Sequence, residues 1–178
     1  MIKEYWLKLT DARLGAVLYA LAAPGQAMGD LVNAPGLAPV FFRPLRARLD
    51  SAKNRPSSPA ASEALGAAED FAARLEKTFT DMALLSVAPD PAAREAALCL
   101  QRACLRTGAL LSVRGRAGAA AEIKAFCATG RRALSSAKAA SDRAPSDFPL
   151  NLKFSSIYSG FDAAFDAFER CTEALFRV

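Results

Sequence analysis

Histidine is absent from all 178 residues of this chain. It is the most frequent general base and metal ligand in enzymes, and the only side chain whose unperturbed charge changes near neutral pH. Its absence excludes Ser-His-Asp and Cys-His nucleophile systems, metal sites with histidine ligands and haem with an axial histidine. The Glu-x-x-His pairs of di-iron helical bundles are excluded for the same reason.

Closely spaced cysteines are also missing. The four cysteines are Cys99, Cys104, Cys127 and Cys171, and no two of them form a Cys-x-x-Cys pair. Four-cysteine zinc sites need ligands grouped in tight turns, whereas each cysteine here lies within an apolar helical pattern. We therefore predict reduced thiols, no metal site and a cytoplasmic location.

Long apolar runs and phosphate-binding loops are absent as well. No apolar stretch approaches the roughly 20 residues that span a bilayer. A cleavable signal peptide is disfavoured because Glu4 and Asp11 interrupt the first segment. There is no GxxxxGK[ST] or GxGxxG motif. These absences predict a protein that is not an enzyme, binds no cofactor and has no transmembrane span.

The residues that are abundant favour helices. Apolar residues make up 52% of the chain and charged residues 23%, which is the composition of a folded protein. Alanine and leucine carry most of the apolar share, and both lose little entropy in a helix. The length fits a single helical domain over 1–178.

Apolar residues at spacings of three and four predict the helices themselves. The predicted helices outside the Pro-rich segment cover 2–22, 59–87, 91–113, 119–141 and 152–177. Ser58-Pro59 and Asp90-Pro91 each combine an N-cap with a proline in the first turn. Pro24-Gly25 is expected to end the first helix, and the Pro-rich segment 24–56 to hold short helices over 25–33 and 44–53. The predicted fold is an all-α, antiparallel helical bundle of four long helices plus one or two short ones, or a related orthogonal array.

Two details of packing follow from the same patterns. The segment 91–113 is apolar on nearly all sides, so we expect a central helix. Gly130 interrupts a helix at a cost of about 1 kcal/mol relative to alanine, so we expect a close contact there that compensates.

Charge is divided between segments of opposite sign. The net charge of +5 includes +4 over 41–56 and +7 over 94–143, against −4 over 57–93 and −2 over 144–178. One interpretation is that oppositely charged helices lie side by side and complement each other. The other is a basic face that binds an anionic partner.

Two basic segments are candidates for contact with a partner. The first includes Val40-Phe41-Phe42-Arg43-Pro44-Leu45-Arg46-Ala47-Arg48-Leu49, and the second is 94–143, with arginines in a predicted loop and on the following helix. The candidate partner-binding residues are Phe41, Phe42, Arg43, Arg46, Arg48, Arg114, Arg116, Arg131 and Arg132. The alternative is that the apolar side chains pack over the bundle end while the arginines are only solvated.

These features favour a non-enzymatic interaction protein, an adaptor, chaperone-like or regulatory binding module that acts through protein–protein contacts. One alternative is a nucleic-acid or anionic-membrane binding module using 41–56 and 94–143, although Phe126 is the only aromatic residue of the second segment. Another is a bundle with a small-ligand pocket around Phe154, Phe161, Phe165 and Phe168. A third is a homodimer through the Phe-rich C-terminal helix.

Overall fold

The computed structural model describes residues 12–55, 58–112, 114–143 and 147–178. These residues form six α-helices and two short 3-10 helices, Pro35–Leu37 and Thr107–Leu111, with no β-strand among them. The α-helices are α1 (Ala12–Asn33), α2 (Ala38–Lys53), α3 (Pro59–Leu84), α4 (Pro91–Arg106), α5 (Arg116–Arg143) and α6 (Phe148–Arg177). The predicted all-α fold is confirmed. Residues 2–11 of the predicted first helix lie outside the described residues.

Side-chain caps mark the starts of α3 and α4. The Ser58 hydroxyl accepts a hydrogen bond from the Ala61 backbone N–H at 3.2 Å, and the Asp90 carboxylate accepts one from Ala93 at 2.8 Å. Both caps are confirmed as predicted from the sequence. Each cap satisfies a donor that the helix cannot satisfy itself.

The end of α1 differs from the prediction. Pro24-Gly25 was expected to terminate this helix, but α1 continues through Pro24 to Asn33. A proline in a helix interior costs about 3 kcal/mol because it removes a backbone hydrogen bond and crowds the preceding turn. Both residues are buried, and a Cβ at Gly25 would lie 2.9 Å from Cβ of Cys104 on α4. The absence of a side chain at Gly25 therefore lets α1 approach α4 closely, directly after the proline.

The Pro-rich segment also holds more helix than predicted. Instead of short helices over 25–33 and 44–53, it contains the end of α1 and the 16 residues of α2, with Pro44 inside α2. The buried residues of α2 form one continuous stripe: Ala38, Phe42, Leu45, Leu49 and Ala52. Pro44 is exposed, so water can reach the Val40 carbonyl that it leaves without a helical partner.

α2 and α3 run antiparallel. Arg46 of α2 pairs with Glu76 of α3, and Lys53, further along α2, pairs with Glu69, which precedes Glu76. α3 packs most extensively on α6, α5 packs on α4 and α6, and α2 lies across α1 and α3. The core is continuous through all six helices.

The helix α4 is less central than predicted. It packs against α1 and α5, with smaller contact to α6. Leu98 and Leu105 are 37% and 53% exposed. The most extensive contact between described helices is instead that of α3 with α6.

Two glycines allow helices to approach closely. A Cβ at Gly130 of α5 would overlap the Phe165 ring of α6 and lie 3.2 Å from Cβ of Cys99. A Cβ at Gly160 of α6 would lie 2.6 Å from the Thr78 hydroxyl of α3. The close contact expected at Gly130 is therefore confirmed.

Candidate functional site

Most interhelical ion pairs join helices of opposite charge. Arg46 pairs with Glu76 at 3.0 Å between the basic α2 and the acidic α3. An exception is Arg106, which binds Glu122 through two hydrogen bonds of 2.6 and 2.7 Å between α4 and α5, both within the basic segment 94–143. Arg131 joins α5 to the acidic face of α6. Helices of opposite charge therefore lie side by side in two places, α2 with α3 and α5 with α6, and these pairs engage the candidate residues Arg46 and Arg131.

The first candidate segment is divided between the core and the surface. Phe42 is 0% exposed, so its ring belongs to the core and is not available to a partner. Phe41 is half-buried, and its ring meets that of Phe42 edge to face. Arg46 is held by Glu76, and the Arg48 guanidinium stacks 4.2 Å from the centre of the Tyr19 ring. Arg43 is exposed and makes no hydrogen bond or ion pair with a described residue.

The arginines of the second candidate segment fall into two groups, those bonded within the chain and those exposed. Arg116 donates to the backbone carbonyls of Leu110 and Phe176 at 2.8 and 3.0 Å, and Arg131 is engaged by carboxylates. Arg114 and Arg132 are exposed, without hydrogen-bond or ion-pair partners among the described residues.

The two basic segments do not form one surface. α2 packs on α1 and α3, whereas α5 packs on α4 and α6. The nine candidate residues therefore do not lie together on one surface, and the positive charges of the two segments do not combine.

A surface groove with a volume of about 910 Å³ lies between α5 and α6. Its floor includes the buried side chains of Leu110 and Ile123. The α5 side of the groove presents short side chains, because three of its lining residues are alanines. The groove is lined by Leu110, Ala120, Ala121, Ile123, Lys124, Ala128, Glu169, Thr172, Glu173, Phe176 and Arg177. We refer to it as the α5–α6 groove.

An arginine lies near each end of the α5–α6 groove. At one end, Arg131 donates to Asp162, Asp166 and Glu169 at 2.7, 2.6 and 2.9 Å, and its guanidinium lies 5.7 Å from the centre of the Phe165 ring. At the other end, Arg116 ties α5 to the last turn of α6 through the Phe176 carbonyl. Together with the close contact at Gly130, these bonds hold both walls in place without filling the space between them.

The two rims of the α5–α6 groove differ in charge. Lys124 projects from the α5 rim and Glu173 from the α6 rim, and neither has a hydrogen-bond or ion-pair partner among the described residues. The other charged lining residues are paired, Glu169 with Arg131 and Arg177 with Glu63. Sequence reasoning missed this site. The only signal was the pair of alanines, Ala120 and Ala121, one turn before the apolar stripe of α5.

A second exposed apolar region lies at one end of the bundle. α2 starts where α3 ends, and Lys153 of α6 donates to the Leu85 carbonyl at 3.1 Å, which places the first turns of α6 there too. Leu84, Phe148 and Val40 are 76%, 72% and 67% exposed. We call this region the apolar end; its members are Leu37, Val40, Leu84, Phe148, Leu150 and Leu152.

The phenylalanines proposed to surround a ligand are packed together instead. Phe161, Phe165 and Phe168 are all fully buried, and the rings of Phe161 and Phe168 contact Phe79 and Phe71 of α3. The fourth, Phe154, is half-buried and stacks on the Tyr158 ring. None of the three lines the α5–α6 groove. Because these rings contact the chain's own helices, they are not available for the homodimer considered from the sequence.

The four cysteines are buried as free thiols. Burial raises the pKa of Cys99 to about 11 and that of Cys127 and Cys171 to about 12, and it also raises the pKa of Cys104. Within the described ranges, no group of three cysteine, aspartate or glutamate residues is placed to hold a metal ion.

None of the helices in the described part of the chain combines the length and apolarity that crossing a membrane requires. Comparison with family models, with curated proteins and with solved structures finds no match for this chain.

Proposed function

We propose that this chain is a non-enzymatic interaction protein that binds a protein partner in the α5–α6 groove. The observation that carries the proposal is the groove itself, an uncovered apolar strip between two helices that are fixed at both ends. A concave apolar site with a few charged groups at its edge is the usual form of a binding site. Such a site binds by shape and needs no reactive side chain.

The lining of the α5–α6 groove supports binding rather than catalysis. Its hydroxyl group, on Thr172, already donates to the Glu169 carbonyl at 2.9 Å. No cysteine is among its lining residues, and burial holds the pKa of all four thiols above the usual range. Four buried free thiols also suit the reducing cytoplasm, where we propose the protein acts.

Site-specific photocrosslinking in the cells that produce the chain tests this proposal. A photoreactive phenylalanine analogue replaces Ala121 or Ala128 in the groove and, as matched controls, the exposed Ala125 of α5 and Ala47 of α2. We expect one discrete protein adduct at the two groove positions and none at the controls. Absence of an adduct at the groove positions, or equal labelling at all four, would contradict the proposal.

The apolar end favours a second candidate function, contact with an anionic membrane surface. Three helices place exposed apolar side chains at one end, close to the exposed and unpaired Arg43. Exposed apolar clusters of this kind mark interaction surfaces, and a lipid interface accepts separate apolar side chains beside a cation.

Flotation with vesicles containing phosphatidylserine tests the second candidate. Replacing Val40, Phe148 and Leu152 with aspartate should abolish flotation, whereas the control Ala47→Asp should not. No flotation of the unaltered protein would eliminate this function.

A further inference from the structure

The walls of the α5–α6 groove restrict the conformation of its occupant. Both walls are α-helices, so their backbone N–H and C=O groups are already bonded within each helix. An extended peptide in this groove would bury its own backbone groups without partners, which is costly. A helical segment satisfies its own backbone bonds, so the groove fits a helix.

The dimensions of the groove restrict the length of that helix. Its lining runs from Ala120 to Ala128 on α5 and from Glu169 to Arg177 on α6. At 1.5 Å per residue, each wall is about 12 Å long, or a little more than two helical turns. A helix of two to three turns can place apolar side chains at positions i, i+3 or i+4, and i+7 along this length. The alanines of the α5 wall leave room for large side chains of the occupant.

The rims restrict the charge of the occupant. On the α5 rim, Lys124 carries an uncompensated positive charge. On the α6 rim, Glu173 has no ion-pair partner among the described residues, and the single guanidinium of Arg131 faces three carboxylates nearby. Arg177, on the same rim, is paired with Glu63. A helix with acidic residues along one flank and basic residues along the other complements both rims at once.

We propose that the α5–α6 groove receives a two- to three-turn amphipathic helix of a partner protein, with acidic residues along the flank facing Lys124 and basic residues along the flank facing Glu173. This inference rests on the proposed function, because it names the chemistry of the partner for the same groove. The helix can lie in either direction along the groove, because each flank is defined by the rim that it faces.

Selection from a peptide library displayed on phage tests the conformation and the charges together. The random peptides are about 16 residues long, enough for the two to three turns required. Binders are selected on the full chain and counter-selected on Ala121→Trp, in which the indole blocks the groove. Ala125→Trp is the matched control and should retain the selected binders, because Ala125 is exposed on α5 outside the lining.

We expect the groove-dependent binders to share apolar residues at helical spacing, with one acidic and one basic flank. Lys124→Glu should shift the preference toward peptides that are basic on both flanks, and Glu173→Lys toward peptides that are acidic on both. Because exposed ion pairs contribute modestly, we expect each rim change to alter affinity about two- to five-fold. Fluorescence anisotropy of labelled peptides measures that change.

Two results would overturn the inference. One is the recovery of no groove-dependent binder, or of binders with alternating apolar residues typical of strands. The other is a set of helical binders whose affinities ignore the charges at positions 124 and 173. Photocrosslinking at Ala121 and Ala128 separates these results from a failure of the proposed function, since an adduct there would leave the groove as a binding site with a different occupant.

Discussion

The close contact at Gly130 provides the sharpest test of the packing. Gly130→Ala adds a methyl group that would overlap the Phe165 ring and lie 3.2 Å from Cβ of Cys99. Phe165 and Cys99 are 0% and 1% exposed, so neither side chain has open space to move into. Added volume in a packed core costs about 1–3 kcal/mol. The higher helix propensity of alanine returns about 1 kcal/mol, so we expect the free energy of unfolding to fall by up to about 2 kcal/mol.

Gly66→Ala is the matched control for this substitution. Gly66 also lies inside a long helix, but it is exposed and a Cβ there would meet nothing within 4 Å. This change should stabilise the protein by about 0.5–1 kcal/mol, through helix propensity alone. Urea denaturation followed by circular dichroism measures both. If Gly130→Ala stabilises the protein as much as Gly66→Ala does, the proposed close packing of α5 and α6 is wrong.

Three further predictions concern a helix end, the buried thiols and the ion-pair network. Ser86 follows α3 in a left-handed conformation with φ 51°, so Ser86→Gly should raise the free energy of unfolding by about 0.5–1 kcal/mol, and a loss measured by urea denaturation would contradict this. Burial raises the pKa of Cys127 and Cys171 to about 12, so the unfolded chain releases those protons first as pH rises. The free energy of unfolding should therefore fall by about 1.4 kcal/mol per pH unit for each thiol above about pH 9. Between about pH 6 and 8 it should be nearly constant, because no histidine titrates there. Denaturation measured from about pH 6 upward that showed no fall above about pH 9 would refute this prediction. Arg131→Met leaves three carboxylates close together and should cost about 1–2 kcal/mol at low ionic strength, a deficit that high salt should reduce; a deficit independent of salt would show that these charges contribute little.

Features set by local interactions were predictable from the sequence. The starts of α3 and α4 depend on Ser58 and Asp90, whose caps involve residues only three positions away. The close contact at Gly130 was predictable because a glycine in a long apolar helical pattern needs a compensating contact. The all-α class followed from the abundance of alanine and leucine and from apolar residues at spacings of three and four.

Features set by contacts between distant residues were not predictable. Pro24 reads as a helix end unless the contact of Gly25 with Cys104 is known. Phe41 and Phe42 are neighbours in sequence, yet Phe42 is fully buried whereas Phe41 is only partly buried against the core. The apolar end could not be predicted, because its members come from three separate parts of the chain.

The α5–α6 groove was missed for a different reason. Its wall is a run of small residues that is compatible with any helix surface, and Lys124 and Glu173 read as ordinary solvated charges. Their significance comes from the space between two helices whose separation the sequence does not specify.

The close contact at Gly130 also fixes the register in which α5 pairs with α6 in this helical hairpin. Sliding α5 by one helical turn in either direction would bring Phe126 or Leu134, each four residues from Gly130, against the Phe165 ring. The same shift would move Arg131 about 6 Å along the helix axis, away from its three carboxylates. Slipped pairings of these two helices are therefore penalised twice, by steric overlap and by charge. In an alanine-rich chain whose helices have many similar faces, this restriction selects one hairpin from several of comparable apolar burial.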